Sequence, residues 1–193
     1  MRLGVFGGSF DPVHHGHLIV AAEARRVLSL AEVRFIPARQ QPFKHGSHHA
    51  SVEDRLAMLR LALQNEPGLT VDARECARLG PSYTVDTLRE LRAELPDAAL
   101  FLLVGSDAAR DFGQWREAVA IRQLATLVVL SRPGVSVPAD DWDVQLLPVP
   151  AIDISATEIR ERVRAGESIR FLVPDAVARY IADRRLYVDE DRC

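Results

Sequence analysis

The sequence predicts an α/β fold, a Rossmann-like parallel sheet with helices on both faces. Three observations carry this. Short apolar segments alternate along the chain with segments of helical period, the pattern of repeated βαβ units. Leu100–Val104 (LFLLV) is apolar on both faces, as a central parallel strand requires. The first apolar segment, Arg2–Phe6, runs straight into Gly7-Gly8, a tight strand-to-loop turn.

The elements follow in order. After Arg2–Phe6, helical spacing begins past Gly16, with Val20, Ala24, Val27 and Leu28 on one face. Val33–Ile36 is a second strand, stopped by Pro37, and Ala38–Ala50 has no period and reads as a long, polar, mobile loop. Ser51 with Asp54 forms a capping-box-like start for a helix bearing Val52, Leu56, Leu59 and Leu63. Leu69–Asp72 is a short strand, and a helix follows over Thr84–Glu94. Beyond the central strand, Ala125–Leu130 is another, ended by Arg132-Pro133-Gly134, and Leu146–Val149 a weaker one. Ser155 with Glu158 opens a helix that Gly166 closes, and a last helix starts near Pro174 with Val173, Val177, Tyr180 and Ile181 on one face. No repeat or linker divides the chain. The expectation is one unit over 1–193, with the C-terminal helices (about 155–187) packed on it.

The bulk properties narrow the function classes. With 24 Lys and Arg against 27 Asp and Glu, the net charge of −3 argues against a broad basic face for nucleic acid. The longest apolar run, Ala98–Val104, falls far short of the ~20 residues needed to cross a bilayer. Two cysteines, Cys76 and Cys193, make no disulfide framework, and no secretory signal is visible, so the expected compartment is the cytoplasm. An anionic ligand would have to be attracted by a few local donors.

Such donors stand in Gly7–His17 (GGSFDPVHHGH), between the first strand and first helix. In open parallel sheets, ligands bind beyond the C-terminal strand ends, near the N-termini of the following helices. Gly7 and Gly8 let the backbone approach a ligand, Ser9 offers a hydroxyl and an N–H, and His14 and His17 straddle the helix start with Gly16 clearing the space between them. A zinc reading of the two histidines lacks a third ligand of suitable spacing. His45, His48 and His49 sit in a polar loop and read as solvated surface, and Cys76 as a small buried residue.

The string GGSFDPVHHGH resembles the H-x-G-H element of the nucleotidyltransferase superfamily, and Ile154-Ser155-Ala156-Thr157-Glu158-Ile159-Arg160 resembles its second motif, I-S-x-T-x-I-R. Between them, Pro81–Leu88 (PSYTVDTL) and Gly105-Ser106-Asp107 followed by Phe112 and Trp115 are similar to the bacterial nicotinate-nucleotide adenylyltransferases. The matches run in order from Gly7 to Arg160.

The resemblance implies adenylyl transfer from ATP to nicotinate mononucleotide, giving nicotinate adenine dinucleotide and pyrophosphate in NAD biosynthesis. It implies His14 and His17 as catalytic residues on the ATP phosphates. Gly7, Gly8, Ser9, Phe10, Gly105, Asp107, Ile154, Ser155, Thr157 and Arg160 complete the ATP site. Lys44, Tyr83, Thr84 and Trp115 would hold the mononucleotide, with Lys44 matching only loosely because Gln41-Pro42-Phe43 precedes it. Phe112 reads as core, and Asp107 equally as a helix cap. Mg²⁺ would ride on the ATP phosphates, with no metal site of the protein's own. The implied partners are the two small-molecule substrates, without nucleic acid or membrane, and self-association is left open. The alternatives are a sister enzyme using nicotinamide mononucleotide or phosphopantetheine, and a non-catalytic nucleotide-binding regulator.

Overall fold

Every strand predicted above forms, and all join one sheet. The computed structural model describes residues 1–40, 48–131, 144–150 and 152–188. Lys44 and His45 in the middle of the polar loop, Arg132-Pro133-Gly134 and Cys193 lie outside the described residues. Among those described, β1 (Arg2–Gly8), β2 (Glu32–Pro37), β3 (Leu69–Val71), β4 (Ala99–Gly105), β5 (Thr126–Ser131) and β6 (Gln145–Pro148) make a six-stranded sheet in the order β3-β2-β1-β4-β5-β6. Every neighbouring pair is parallel. The chain winds outward one way from β1 and the other way from β4, so the order reverses between these two strands. At that switch point the C-terminal strand ends leave a crevice for a ligand.

Side chains alternate between two cores because strand period is two. Phe6, Phe35, Phe101, Leu103 and Val128 pack with α1 (His15–Val27), α2 (Val52–Leu63), α7 (Ala156–Ala165) and α8 (Asp175–Asp183). Val5, Leu100, Leu102, Val104 and Val129 face the other way, against α4 (Thr84–Glu94) and α6 (Ala118–Leu124). Helices therefore cover both faces, which is the predicted fold class.

The caps are those read from sequence: Ser51 accepts the Asp54 N–H, Ser155 accepts the Glu158 N–H, and Gly166 closes α7 at φ +75°. Four elements were not predicted, the short helices α3 (Arg74–Ala77) and α5 (Ser106–Arg110), a 3₁₀ turn at Phe112–Gln114, and α6. The buried stripe of α1 also differs from expectation in one residue. Ala21, Ala24 and Leu28 are buried in the core with Val20 packed partly against it, as the spacing predicts for Val20, Ala24 and Leu28, whereas Val27 is exposed, because it falls at the edge of that stripe in the last turn of α1.

Candidate active site

The site is built on the turn between β1 and α1. Gly8 is required there by packing, since a Cβ would lie 2.9 Å from the Phe10 ring folded over it. Phe10 is buried at φ +48°, a conformation that costs a non-glycine residue roughly 1–3 kcal/mol and persists only where the surroundings enforce it. The enforcement is visible on both sides. The Ser9 carbonyl accepts from Arg55 Nη1 at 2.8 Å, and the Asp11 carbonyl from Arg160 Nη1 at 2.7 Å.

His14 is the N-cap of α1 and His17 its third residue, so the pair straddles the helix start as expected. The His14 backbone N–H donates to His17 Nδ1 at 3.3 Å. With Nδ1 accepting, neutral His17 carries its proton on Nε2 and offers an N–H donor there. The ring meets Phe6 and Phe10 edge-on and stacks on His14. Burial first, and the neighbouring His14 second, hold His17 well below the ordinary histidine value. Gly16 makes room for this arrangement: a Cβ would lie 3.0 Å from His14 Nδ1 and 3.7 Å from Ile152, just ahead of the second motif.

That second motif starts α7. Its first-turn N–H groups lack intrahelical partners, which makes the helix start attractive to anions. Ser155 caps it and Thr157 is exposed. Arg160 donates through Nη2 to Thr157 Oγ1 at 3.2 Å, while its buried Nε has no hydrogen-bond partner among the described residues. The Arg160–Asp11 bond joins positions 149 apart and brings the two motifs onto one loop.

The central elements form a neighbouring surface. Ser82 Oγ accepts the Arg39 N–H at 3.1 Å, and the Ser82 N–H donates to the Gln40 carbonyl at 2.9 Å. These bonds fasten the start of α4, with Tyr83 as N-cap and Thr84 as first residue, to the end of β2. The Arg116 guanidinium lies 4.6 Å over the Tyr83 ring, and Arg116 and Asp86 approach to 3.7 Å. Trp115 is half-buried against Phe112, which is core as read, and it and Tyr83 both pack on the core that lies under α4 and α6.

Gly105 ends β4 and caps α5, so the N-cap reading of Asp107 is corrected. Asp107 sits within the first turn, its side chain 96% exposed and 3.3 Å from Arg110. Ser106 instead ties this turn to β5, through the Leu130 carbonyl. Lys44 lies outside the described residues. Cys76 is a buried thiol donating to the Pro37 carbonyl, its titration pushed up by burial. The described residues contain no group of three His, Cys, Asp or Glu arranged to hold a metal, and no helix long and apolar enough to cross a membrane.

Two buried residues that hold the candidate site together escape the sequence reading. Arg55 is completely buried and donates to the Ser9, Ala38 and Arg39 carbonyls, stapling the ends of β1 and β2 together. A signal existed: Arg55, Met58, Leu59 and Ala62 fall at i, i+3, i+4 and i+7, the buried stripe of α2. Asp11 lies inside the glycine-rich string itself, 4% exposed, but its partner Tyr187 is 176 positions away.

Residues 5–162 match the cytidylyltransferase-like family model. A protein of Thermomicrobium roseum named "probable nicotinate-nucleotide adenylyltransferase" is 47% identical, over 96% of this chain and 91% of its own. A protein of the same name from Thermus thermophilus is 46% identical, over 97% and 100%. Among solved structures, Plasmodium falciparum nicotinic acid mononucleotide adenylyltransferase complexed with NaAD superposes with a TM-score of 0.82. The alignment covers 96% of this chain and 97% of that one, and at 19% identity it speaks for the fold. The chain belongs to the nicotinate-nucleotide adenylyltransferase family, within the cytidylyltransferase-like group.

Proposed function

We propose that the chain transfers the adenylyl group of ATP to nicotinate mononucleotide, forming nicotinate adenine dinucleotide and releasing pyrophosphate. The observation that carries this reading is the Arg160–Asp11 bond, which gathers both motifs at the switch point of the sheet. The names of relatives more than 40% identical over nearly their whole length support the choice of substrates.

In this reaction the mononucleotide's phosphate attacks the α-phosphorus of ATP in line, and the bond to the β-phosphate's bridging oxygen breaks. The nucleophile is already an anion, so no strong base is needed. Catalysis rests on holding two anions together and stabilising the charge that develops between them. On this reading neutral His17 donates its Nε2–H to the α-phosphate, and His14 supports it from the stacked position. The start of α7, with Ser155, Thr157 and Arg160, receives the β- and γ-phosphates. Arg160 keeps Nη1 on the Asp11 carbonyl and turns its remaining N–H groups to the ligand. Gly7, Gly8, Ser9 and Phe10 shape the turn against the nucleotide, Ile154 lies beside it, and Gly105 with Asp107 borders its other side. Mg²⁺ arrives with ATP as part of the substrate.

The pyridine nucleotide is assigned to the Tyr83–Thr84 start of α4, with its ring on Trp115, and Lys44 is assigned to the same nucleotide. Backbone N–H groups there can both donate to a carboxylate. An amide would oppose one donor with another, and an unmatched buried polar group costs about 1–3 kcal/mol. We also assign the whole chain to one catalytic unit working in the cytosol.

The test is pyrophosphate release from ATP with nicotinate mononucleotide, nicotinamide mononucleotide and phosphopantetheine as rival acceptors. The acid should win over its amide by at least ~10²-fold in kcat/KM, with phosphopantetheine inert. Equal use of acid and amide would remove the carboxylate-reading role from Tyr83 and Thr84. Turnover of phosphopantetheine alone would overturn the reading.

A further inference from the structure

We propose that Asp11 is a positioning residue that couples the two substrate seats, its carboxylate fixing the start of α2 and the closing segment of the chain while its carbonyl fixes Arg160. The inference rests on the adenylyl-transfer reading above and adds to it a residue that need not touch either substrate.

The carboxylate is buried and fully engaged. One oxygen accepts the His49 N–H at 2.7 Å; the other accepts the Ala50 N–H at 3.2 Å and the Tyr187 hydroxyl at 2.7 Å. His48 Nδ1 stands 3.9 Å away. Ala50 immediately precedes Ser51, the cap of α2, so Asp11 pins the residues that lead into that helix. Tyr187 is held equally firmly, buried at φ +64°, and burial together with Asp11 pushes its hydroxyl upward so that it remains a donor. The same closing segment is fastened to α2 by a second carboxylate, since Asp54 accepts from Tyr180 at 2.8 Å and Arg184 at 3.2 Å.

From this anchor hydrogen bonds run both ways. Toward the phosphates, the Asp11 carbonyl holds Arg160. Toward the pyridine seat, Arg55, rooted in α2, binds the Ser9 carbonyl on one side and the Ala38 and Arg39 carbonyls on the other, and the Arg39 N–H reaches Ser82 at the start of α4. The strained residue Phe10 sits between the two clamped carbonyls, those of Ser9 and Asp11. A conformation that costs its residue energy competes with relaxed positions of the turn, so ligands can bias which one is held. A ligand that draws Arg160 toward phosphate and one that settles against α4 both select the same position of this turn, so each should favour the other.

The experiment measures binding to the full chain of an ATP analogue with a methylene group between its α- and β-phosphorus, which cannot react, with and without nicotinate mononucleotide. In the wild type each ligand should tighten the other by about 5-fold or more, the usual lower range of such coupling. Asp11→Asn keeps the shape but replaces one acceptor with a donor, and Tyr187→Phe removes a single hydroxyl. Both should reduce the coupling, Asp11→Asn to below ~2-fold, while each ligand alone stays within ~3-fold of wild type. Coupling that persists in both variants, parallel weakening of both ligands with coupling intact, or no coupling in the wild type would each overturn the proposal. If Asp11→Asn does not fold, Tyr187→Phe decides alone. A wild type that turns over nicotinate mononucleotide with coupling untouched by the variants sinks only this inference, whereas a wild type inert toward that nucleotide sinks the functional reading beneath it.

Discussion

The imidazoles of His14 and His17 lie face to face, their ring centroids 3.7 Å apart and their planes 25° from parallel. Two imidazolium ions at that separation would repel, and burial of His17 acts in the same direction. The pair therefore reaches neutral pH with His17 uncharged, a hydrogen-bond donor whose orientation is set by the His14 N–H at Nδ1. A neutral donor fixed before the reaction suits an oxygen whose negative charge grows in the transition state.

His17→Ala should accordingly lower kcat by about 10²–10⁴-fold, the range expected for losing one such donor. The helix begins at His15 and its buried stripe is made by other residues, so the fold should remain. Steady-state kinetics alongside circular dichroism check this. A folded variant with near-normal kcat removes His17 from the chemistry.

The neutrality of His17 also predicts how stability responds to pH. In the unfolded chain this ring binds a proton near the ordinary value of about 6.5. In the folded chain it binds one only at lower pH, through burial first and His14 second. Between the folded and unfolded values the unfolded state holds more protons, so stability rises with pH across that window and is lost as pH falls below about 6.5. Urea midpoints should climb with pH below that value, and less steeply in His17→Asn. Identical pH dependence in the two proteins would show that another group is responsible.

Arg160→Ala should weaken ATP while leaving the affinity for the mononucleotide alone nearly unchanged, because Arg160 is assigned to the departing pyrophosphate. Lysine should recover only part of the loss. One ammonium is a point charge and cannot keep one donor on the Asp11 carbonyl and another on Thr157 in the planar spacing of a guanidinium. Separate titrations with each ligand decide the matter: equal loss for both would assign Arg160 to scaffolding.

The sequence made the sheet legible because the central strands are apolar runs and the outer ones are short apolar-rich segments between turn residues, and the capped helices legible because Ser51, Ser155 and Gly166 mark their ends by local chemistry. Helices α3, α5 and α6 are four, five and seven residues long. Helices that short gain little from propensity and depend on tertiary contacts, which leave no periodic trace. At the candidate site, the β1–α1 turn and the start of α7 could be placed because each motif is a run of contiguous residues. Tyr187 could not be joined to Asp11, since nothing local links a C-terminal tyrosine to an aspartate in the first loop. Arg55 lay on a readable stripe of α2, masked by the competing apolar series Val52, Leu56, Leu59 and Leu63.

Gly16→Ala tests whether the stacked histidines must keep their spacing. Gly16 is buried in the first turn of α1, and an added Cβ would meet His14 Nδ1 at 3.0 Å and Cε1 at 3.1 Å. Those distances are too short by a few tenths of an ångström, so the ring must move. Ile152, at 3.7 Å, is in ordinary contact and exerts no such pressure. Alanine is the better helix former by up to about 1 kcal/mol, which offsets the crowding, so global stability should change little. His14 cannot shift independently, because its ring rests on His17 and its backbone N–H holds His17 Nδ1. The displacement therefore passes to His17, the donor assigned above to the reacting phosphate. Small misplacements of reacting groups are costly in rate, so kcat should fall by about 10-fold while KM for either substrate moves far less. Kinetics and thermal unfolding of the variant measure both quantities. A normal kcat would show that the H-x-G-H glycine serves the backbone of α1 and not the histidine pair.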